Sequence, residues 1–379
     1  MSAPRVAFHP ICRYRRHALT ARGKTEPMST QAGPALLVAQ TSFLGDVVLT
    51  TPLLTALRER LRPRRLAVLV RPEAAALLEG HPDVDAVLAD DKRGADRGFS
   101  GLARVAGRVR RERYDLAVSP HRSLRTAIVL AAARIPRRVG FDESRGAFLY
   151  HERVHRDRSL HDVQRNLALA EPFGGSTGAP RLHVAVQPAA AARAASLLPE
   201  GGGPLVGMAP GSVWDTKRWT PDGFAGVLRG LREQGARVVV LGAASERPIA
   251  DEVVRLAGGG ATVLAGRTDL ATLVAVVDRL ALLVTNDSAP MHIACARDVP
   301  VVAVFCATTP AFGYGPWGAR SAVVQADLEC RPCARHGGRL CPRGTQDCMT
   351  TMPQLRPFGE RQVACHFAEE FLPSAPAQA

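Results

Sequence analysis

Aromatic residues are scarce in this chain, 5% of 379 residues, and no motif interleaves them with basic residues in the manner of a base-stacking surface. Nucleic acid is therefore not the expected partner. Long apolar runs are missing too. The longest are strand-sized and lie between turn signals, so no segment is expected to cross a bilayer as a helix. The first 27 residues carry Arg5, Arg13, Arg15, Arg16, Arg22 and Lys24 against Glu26, and lack an apolar core long enough for a secretory signal. They read as a disordered basic leader, continuing to residue 34. It is either a flexible tail or an upstream extension of a chain that starts at Met28, which opens MSTQAGPALLVAQ; the second reading is preferred. The expected compartment is the cytoplasm.

The chain does have positive charge. The formal net charge is +14, nearly all from arginine, which favours an anionic partner: nucleic acid, a membrane surface or a phosphorylated substrate. An anionic lipid or sugar-phosphate surface fits best, beside the plain alternative of solvated charged faces. With 46% hydrophobic and 22% charged residues the composition is that of an ordinary globular protein. At this length two domains are the default.

Apolar strands alternate with helix-length segments, the grammar of a parallel sheet covered on both faces. Strands are expected at Ala35–Gln40, Leu66–Val70, Val84–Leu88 and Asp115–Ser119, with helices at Val47–Leu61, Gly101–Arg113, Leu124–Ala133 and Leu160–Phe173. Two Gly/Pro-rich stretches, EPFGGSTGAP and LLPEGGGP, flank a short strand and helix and mark a change of domain near residue 185. The pattern then restarts, with strands at Leu205–Ala209, Arg237–Leu241, Thr262–Leu264, Leu282–Thr285 and Val301–Phe305. Helices are expected at Pro221–Gln234, Glu246–Leu256, Leu270–Arg279 and Ala289–Arg297. This divides the chain into two Rossmann-like α/β domains, 35–185 and 186–353, followed by a tail, 354–379, with a helix from Gln354 to Leu372 packing back across the hinge. Two such units in tandem place a cleft between the carboxyl ends of both sheets.

Three motifs fall at those ends. In TSFLGDVVLTTP, residues 41–52, Gly45 allows close backbone approach and Asp46 stands at a helix N-terminus. Asp46 is either a helix cap or a general base kept ionised by the helix dipole. In APGSVWDTKRWTPDGF, residues 209–224, a strand ends in Pro-Gly-Ser212, and Lys217 and Arg218 precede a Thr-Pro helix start. Adjacent cations there suit a departing diphosphate, or are a surface pair with Trp214 and Trp219 as packing. In VTNDSAPMHIACA, residues 284–296, Asp287 or Ser288 can cap and Pro290 falls in the first turn. Free N–H groups with His292 one turn in make an anion site, the alternative being a core histidine. Between the last two lies LGAASERPIADE, where Glu246 follows a strand end and could accept hydrogen bonds from a ribose.

Taken together, in this order and spacing over Ala35–Cys348, the motifs resemble glycosyltransferase family 9, the ADP-heptose lipopolysaccharide heptosyltransferases. PHRSLRTAIVLAAARIPRRVGF, residues 120–141, and HDVQRN, residues 161–166, resemble the acceptor-side segments of that family. The resemblance implies a GT-B architecture and an inverting transfer of heptose from ADP-heptose to the lipid A–Kdo inner core, with no cofactor required for catalysis and peripheral contact with the inner membrane. It implies Asp46 as base, Lys217 as phosphate-binding cation, Glu246 as nucleoside contact and Asp287 on the donor sugar. Ser212, Ser288 and His292 would complete the donor site. Arg247 and Pro248 depart from the acidic run of that loop, which puts the adenosine contact in doubt. A cationic acceptor site is expected from Arg122, Arg125 and His161, with Arg137 and Arg138 nearby; helical spacing would put Arg122 and Arg125 on one face. The other reading is that these arginines are solvated or pair with Asp142 and Glu143. A family member that moves another sugar, and an idle nucleotide-binding protein on the same fold, are the alternatives.

The remaining motif is CRPCARHGGRLCPRGTQDC. Cys330, Cys333, Cys341 and Cys348 can supply four thiolates for a tetrahedral structural zinc. Reduced thiols without metal, or a disulfide, are the alternatives, the last disfavoured in the cytoplasm. A similar Cys-rich segment occurs in the heptosyltransferase II branch of the family.

Overall fold

The computed structural model describes residues 33–176, 181–318, 320–350, 356–358 and 361–363. Residues 1–32 of the basic leader lie outside them, and its last two, Gly33 and Pro34, open the first strand. The first half runs β1 (Gly33–Ala39), α1 (Leu44–Leu61), β2 (Pro63–Val70), β3 (Ala86–Ala89), α2 (Gly98–Arg111), β4 (Leu116–Ser119), α3 (Leu124–Ala132), β5 (Arg137–Phe141), β6 (Glu152–Val154) and α4 (Asp162–Ala168). The second runs α5 (Pro188–Leu197), β7 (Leu205–Ala209), α6 (Pro221–Glu233), β8 (Arg237–Val240), α7 (Arg247–Leu256), β9 (Ala261–Val263), α8 (Leu270–Val277), β10 (Leu282–Asn286), α9 (Ala289–Ala296), β11 (Val301–Phe305) and β12 (Ser321–Gln325).

The strands form two six-stranded parallel sheets, ordered β3-β2-β1-β4-β5-β6 and β12-β11-β10-β7-β8-β9. Counted within its own half, each sheet has the doubly wound Rossmann order. The order reverses between β1 and β4 in one and between β7 and β10 in the other, and ligands bind at such switch points. Strand Leu36–Ala39 is buried on both faces, as the near-continuous apolar runs of a parallel sheet require.

Helix α1 decides how the halves sit. Ten of its eighteen residues are buried, around most of its circumference, because it lies between its own sheet and the second half. It packs on α4 and α9, and Leu49, Leu53, Met291 and Ile293 share one core. Pro52 removes a mid-helix N–H, and the Thr51 hydroxyl donates instead to the stranded Val48 carbonyl at 2.8 Å. The other tie is Arg165, whose side chain is 0% exposed. Its guanidinium donates to the Asp157 carbonyl at 3.1 Å and across the halves to the Phe312 carbonyl at 3.0 Å, and bonds the Arg158 carbonyl as well.

Strands β5, β6 and β12 were not expected from sequence. In β5 two arginines and Gly140 break up the apolar run; β6 and β12 are edge strands and only partly buried. The link between β2 and β3 is a 3-10 turn, and the short strand expected between the two Gly/Pro stretches is irregular chain leading to α5. In the tail, Arg356–Phe358 and Arg361–Val363 pair antiparallel where a helix was expected; Pro357 there cannot continue a helical hydrogen-bond ladder. The rest of that tail lies outside the described residues.

Arg165→Met should destabilise the protein by about 3–5 kcal/mol, since it strands buried carbonyls and strips Asp162 of one cation. Thermal melting measures it. A melting temperature within a degree of the parent would show that the α4 tie is dispensable.

Candidate functional site

Both switch points open into one cleft of about 620 Å³. On the first wall, β1 hands over to α1 through Gln40–Phe43. Asp46 is the third residue of α1, not its cap residue. Its carboxylate accepts the Ser42 hydroxyl at 2.6 Å and the Phe43 N–H at 3.1 Å. Desolvation and the neighbouring carboxylate of Asp162 raise its pKa above the ordinary value, against the Ser42 and Phe43 hydrogen bonds and Arg122. Being at a helix start therefore does not dominate: burial wins, and the group is a better base than a solvated aspartate.

Behind it lies an arginine–carboxylate network. Asp162 is buried, 2.6 Å from Arg156 and 3.5 Å from Arg165. Arg156 also reaches Glu143 at 3.1 Å, which Arg122 meets at 2.8 Å. Arg71 is stacked over the half-exposed Phe43 ring at 5.6 Å and paired with Glu73. All of these residues but Arg165 line the cleft.

On the facing wall, Thr220 caps α6 by accepting the Gly223 N–H at 3.2 Å, with Pro221 at the first helical position, as the sequence suggests. Buried Asn286 joins the two loops of this wall, accepting the Trp219 N–H at 3.0 Å and donating to the Pro210 carbonyl at 2.8 Å. Lys217 Nζ lies 2.6 Å from the Asp287 carboxylate, which also accepts the Thr308 hydroxyl at 2.7 Å. With Asp287 so engaged and the Ser288 hydroxyl turned back to the Asn286 carbonyl at 3.3 Å, no side chain caps α9. Its first turn faces the cleft. His292 is buried in that helix; burial pushes its pKa down to about 4, so the ring is neutral near pH 7. Its Nδ1 has no hydrogen-bond partner among the described residues. A Cβ at position 45 would lie 2.7 Å from the His292 ring, so the two walls meet through the one residue without a side chain.

The structure brings Asp46, Lys217, Asp287, Ser288, His292, Ser212 and Arg122 to this cleft. Three expected residues are elsewhere. Arg125 is clamped by buried Asp90 at 2.8 Å and by the Asp96 carbonyl at 2.7 Å, and Arg122 precedes α3 rather than sharing its face. His161 caps α4, accepting the Val163 N–H at 3.2 Å with Nδ1 and donating from Nε2 to the Gly315 carbonyl at 3.0 Å. Glu246 folds back on the Ala243 N–H at 2.8 Å, in the space beside Gly211 and Gly242. Arg137 and Arg138 serve β5 and its turn, pairing with Glu152 and the Leu149 carbonyl. Trp219 packs on Phe224, whereas Trp214 lines the cleft.

The Cys-rich segment contributes something the thiol spacing does not foretell. Its Gly338 exchanges hydrogen bonds with Thr216 at 3.0 and 2.8 Å, which carries Arg335 and His336 over the Lys217 loop and into the cleft wall. Cys330, Cys333, Cys341 and Cys348 are free thiols. Cys348 is packed into the apolar layer with Cys306, and the Cys333 thiol donates to the Cys330 carbonyl at 3.1 Å. Among the described residues no group of three His, Cys, Asp or Glu side chains is disposed to hold one ion, while Cys330, Cys333 and Cys341 lie close enough to Cys348 to act on its thiol electrostatically.

The family model described as glycosyltransferase family 9 (heptosyltransferase) matches residues 102–342. Lipopolysaccharide heptosyltransferase 2 of Salmonella typhimurium is 28% identical over 294 residues, covering 73% of this chain and 84% of that protein. Among solved structures, a family 9 glycosyltransferase from Veillonella parvula is similar at a TM-score of 0.73 and 26% identity, over 79% of this chain and 88% of the other. The E. coli ADP-heptose lps heptosyltransferase II is similar at 0.68 and 22% identity, over 79% and 95%.

Gly45→Ala should cost about 1–3 kcal/mol, because the new methyl group meets a buried ring that has little room to yield. His292→Ala in the same chain should recover part of that cost. Additive losses in a double-mutant cycle of melting temperatures would show that the two residues are not in contact.

Proposed function

This chain belongs to glycosyltransferase family 9, and we propose that it moves heptose from ADP-heptose to the lipid A–Kdo inner core of lipopolysaccharide, with inversion and without a catalytic metal. The names of the similar proteins support the heptose donor and the lipopolysaccharide acceptor. The observation that carries the reading is Asp46 itself: a desolvated carboxylate on one wall of a cleft whose other wall presents Lys217 and the uncapped start of α9.

In this reading an acceptor hydroxyl lies against Asp46 and its oxygen attacks the anomeric carbon. That C–O bond forms as the bond to the diphosphate breaks; the proton passes to Asp46, and the bonding electrons leave with ADP. Lys217 and the α9 N–H groups meet the charge that grows on the leaving group, the task a divalent cation performs in other transferases. Asp287 holds Lys217 in place and offers its free carboxylate edge to sugar hydroxyls. Neutral His292 can donate a hydrogen bond without adding charge. Arg122, Arg71 and Arg145, all in the first wall, suit a phosphorylated or carboxylated acceptor. In this reading the enzyme works in the cytoplasm and meets its acceptor at the membrane face, as the likeness to lipopolysaccharide heptosyltransferases supports; no helix among the described residues is long and apolar enough to cross a membrane.

A donor screen tests the proposal: ADP-heptose should be turned over with a heptose-deficient core acceptor, and UDP- and GDP-sugars should not. Asp46→Asn should lower the rate by about 10²–10⁴ while ADP binding persists. Turnover of another nucleotide sugar in preference would reassign the donor, and near-parental rates for the variant would remove Asp46 from the chemistry.

Asp46 must be ionised to act, so the rate should fall as pH drops through its raised pKa, above the ordinary aspartate range. Asp162→Asn removes a negative charge that helps raise that pKa, and the acid limb of kcat/KM should move to lower pH. A limb that stays in place would separate Asp162 from the base.

A further inference from the structure

Three large apolar side chains stand in water at one end of the first domain. Phe99 is 93% exposed, Phe148 69% and Leu124 39%. Each opens or lies within a different element, and local contacts gather them around the start of α3. Phe99 follows Gly98, whose carbonyl accepts from Arg125 at 3.4 Å; Leu124 is the first residue of α3; and Gly146, two residues before Phe148, packs against Leu124 and Ala127. The Arg145 N–H donates to the Arg122 carbonyl at 3.1 Å, joining the Phe148 turn to the same corner.

Around these side chains lie Arg93, Arg97 and Arg145, all exposed and without an ion-pair partner among the described residues. The acids nearby are spent. Asp90 and Asp96 are buried and held by Arg125 and Arg108, Glu143 is held by three arginines, and the Asp91 carboxylate is turned onto the Gly94 and Ala95 N–H groups. The corner adjoins the cleft, since Arg122, Ser123 and Arg145 also line its first wall.

We propose that Phe99, Leu124 and Phe148, with Arg93, Arg97 and Arg145, form the surface by which this enzyme sits on an anionic lipid bilayer. Exposed phenylalanines cost free energy in water and gain it at the level of lipid headgroups, and unpaired guanidinium groups among them match anionic headgroups. A protein partner with an apolar face would leave the arginines without acids to meet. Docked by this corner, the mouth of the cleft opens next to the headgroups, so an acceptor sugar can enter while its acyl chains stay in the membrane. The proposal deepens the reading above, from which it takes only that the acceptor is lipid-linked.

The test is flotation of the full chain with phosphatidylcholine vesicles, with and without phosphatidylglycerol, in the absence of any acceptor. The parent should float with the anionic vesicles and do so less as salt rises. Phe99→Ser with Phe148→Ser should weaken binding by at least about tenfold, and Arg93→Gln with Arg97→Gln by about fivefold for each charge removed. An unchanged melting temperature is the folding control of the phenylalanine variant, and its transfer to a soluble acceptor lacking acyl chains should also be unchanged. Vesicle binding is read without turnover, so a failed donor screen leaves this result intact. No flotation of the parent, or equal flotation of the variants, would overturn the proposal. So would a concentration-dependent dimer abolished by the serine substitutions, which would give the surface to a second copy of the chain.

Discussion

Position 45 has no room for a side chain, and that constraint carries the site. The His292 ring fills the space a Cβ would take, so the N-termini of α1 and α9 come within van der Waals reach of each other. Each of those helices follows the strand at its sheet's switch point. Their contact therefore turns two separate Rossmann crevices into a single cleft with Asp46 on one side and Lys217 with Asp287 on the other. The apolar body of α1 shares a core with α9 beneath the contact, which holds the approach in place. A residue with a side chain at position 45 would push the walls apart where reacting atoms must be placed within a few tenths of an ångström.

Charge is organised to serve the same corner. Asp162 lies under Asp46 and would repel it, were its charge not shared with Arg156 and Arg165. The balance is not complete, and the residue of that repulsion, added to desolvation, lifts the pKa of Asp46. Arg165 also reaches the Phe312 carbonyl on the second half. One network thus tunes the Asp46 carboxylate and fastens the two walls of the cleft. A change made to alter the pH profile through Asp162 would also loosen that fastening, which is why its test reads the position of the acid limb and not the rate alone.

Much of this was legible beforehand, for identifiable reasons. Strands buried on both faces, such as Leu205–Ala209 and Val301–Phe305, write themselves as apolar runs between turn residues, and their ends locate the loops. Helix starts at Thr220-Pro221 and Ser288-Pro290 carry their own punctuation. Edge strands β6 and β12 carry no such signal, because half of each faces water. Among side chains, type and local spacing say which residues have chemistry to offer but not what they will be paired with. Arg125 was expected in the cleft and is consumed by Asp90, which lies 35 residues earlier. In HDVQRN the histidine drew attention, yet it is spent on capping α4, and the neighbouring aspartate is the one that faces Asp46.

The Cys-rich segment shows how a motif can be informative for a reason other than the one its residues suggest. Its thiols drew attention as possible ligands, but it is its backbone at Gly338 that is bonded to Thr216, directly before Lys217. Arg331 strengthens that placement by donating to the Phe305 and Thr308 carbonyls at the end of β11, so the segment is fixed at both the strand and the loop. The consequence is thermodynamic. A diphosphate between Lys217 and the Arg335–His336 pair would touch the loop and the segment together. Whatever affinity it has for that joint surface must appear as added stability of the segment, and whatever loosens the segment must weaken the anion. The segment is thus a wall of the cleft whose order and affinity for such an anion are one quantity, whichever state its thiols are in.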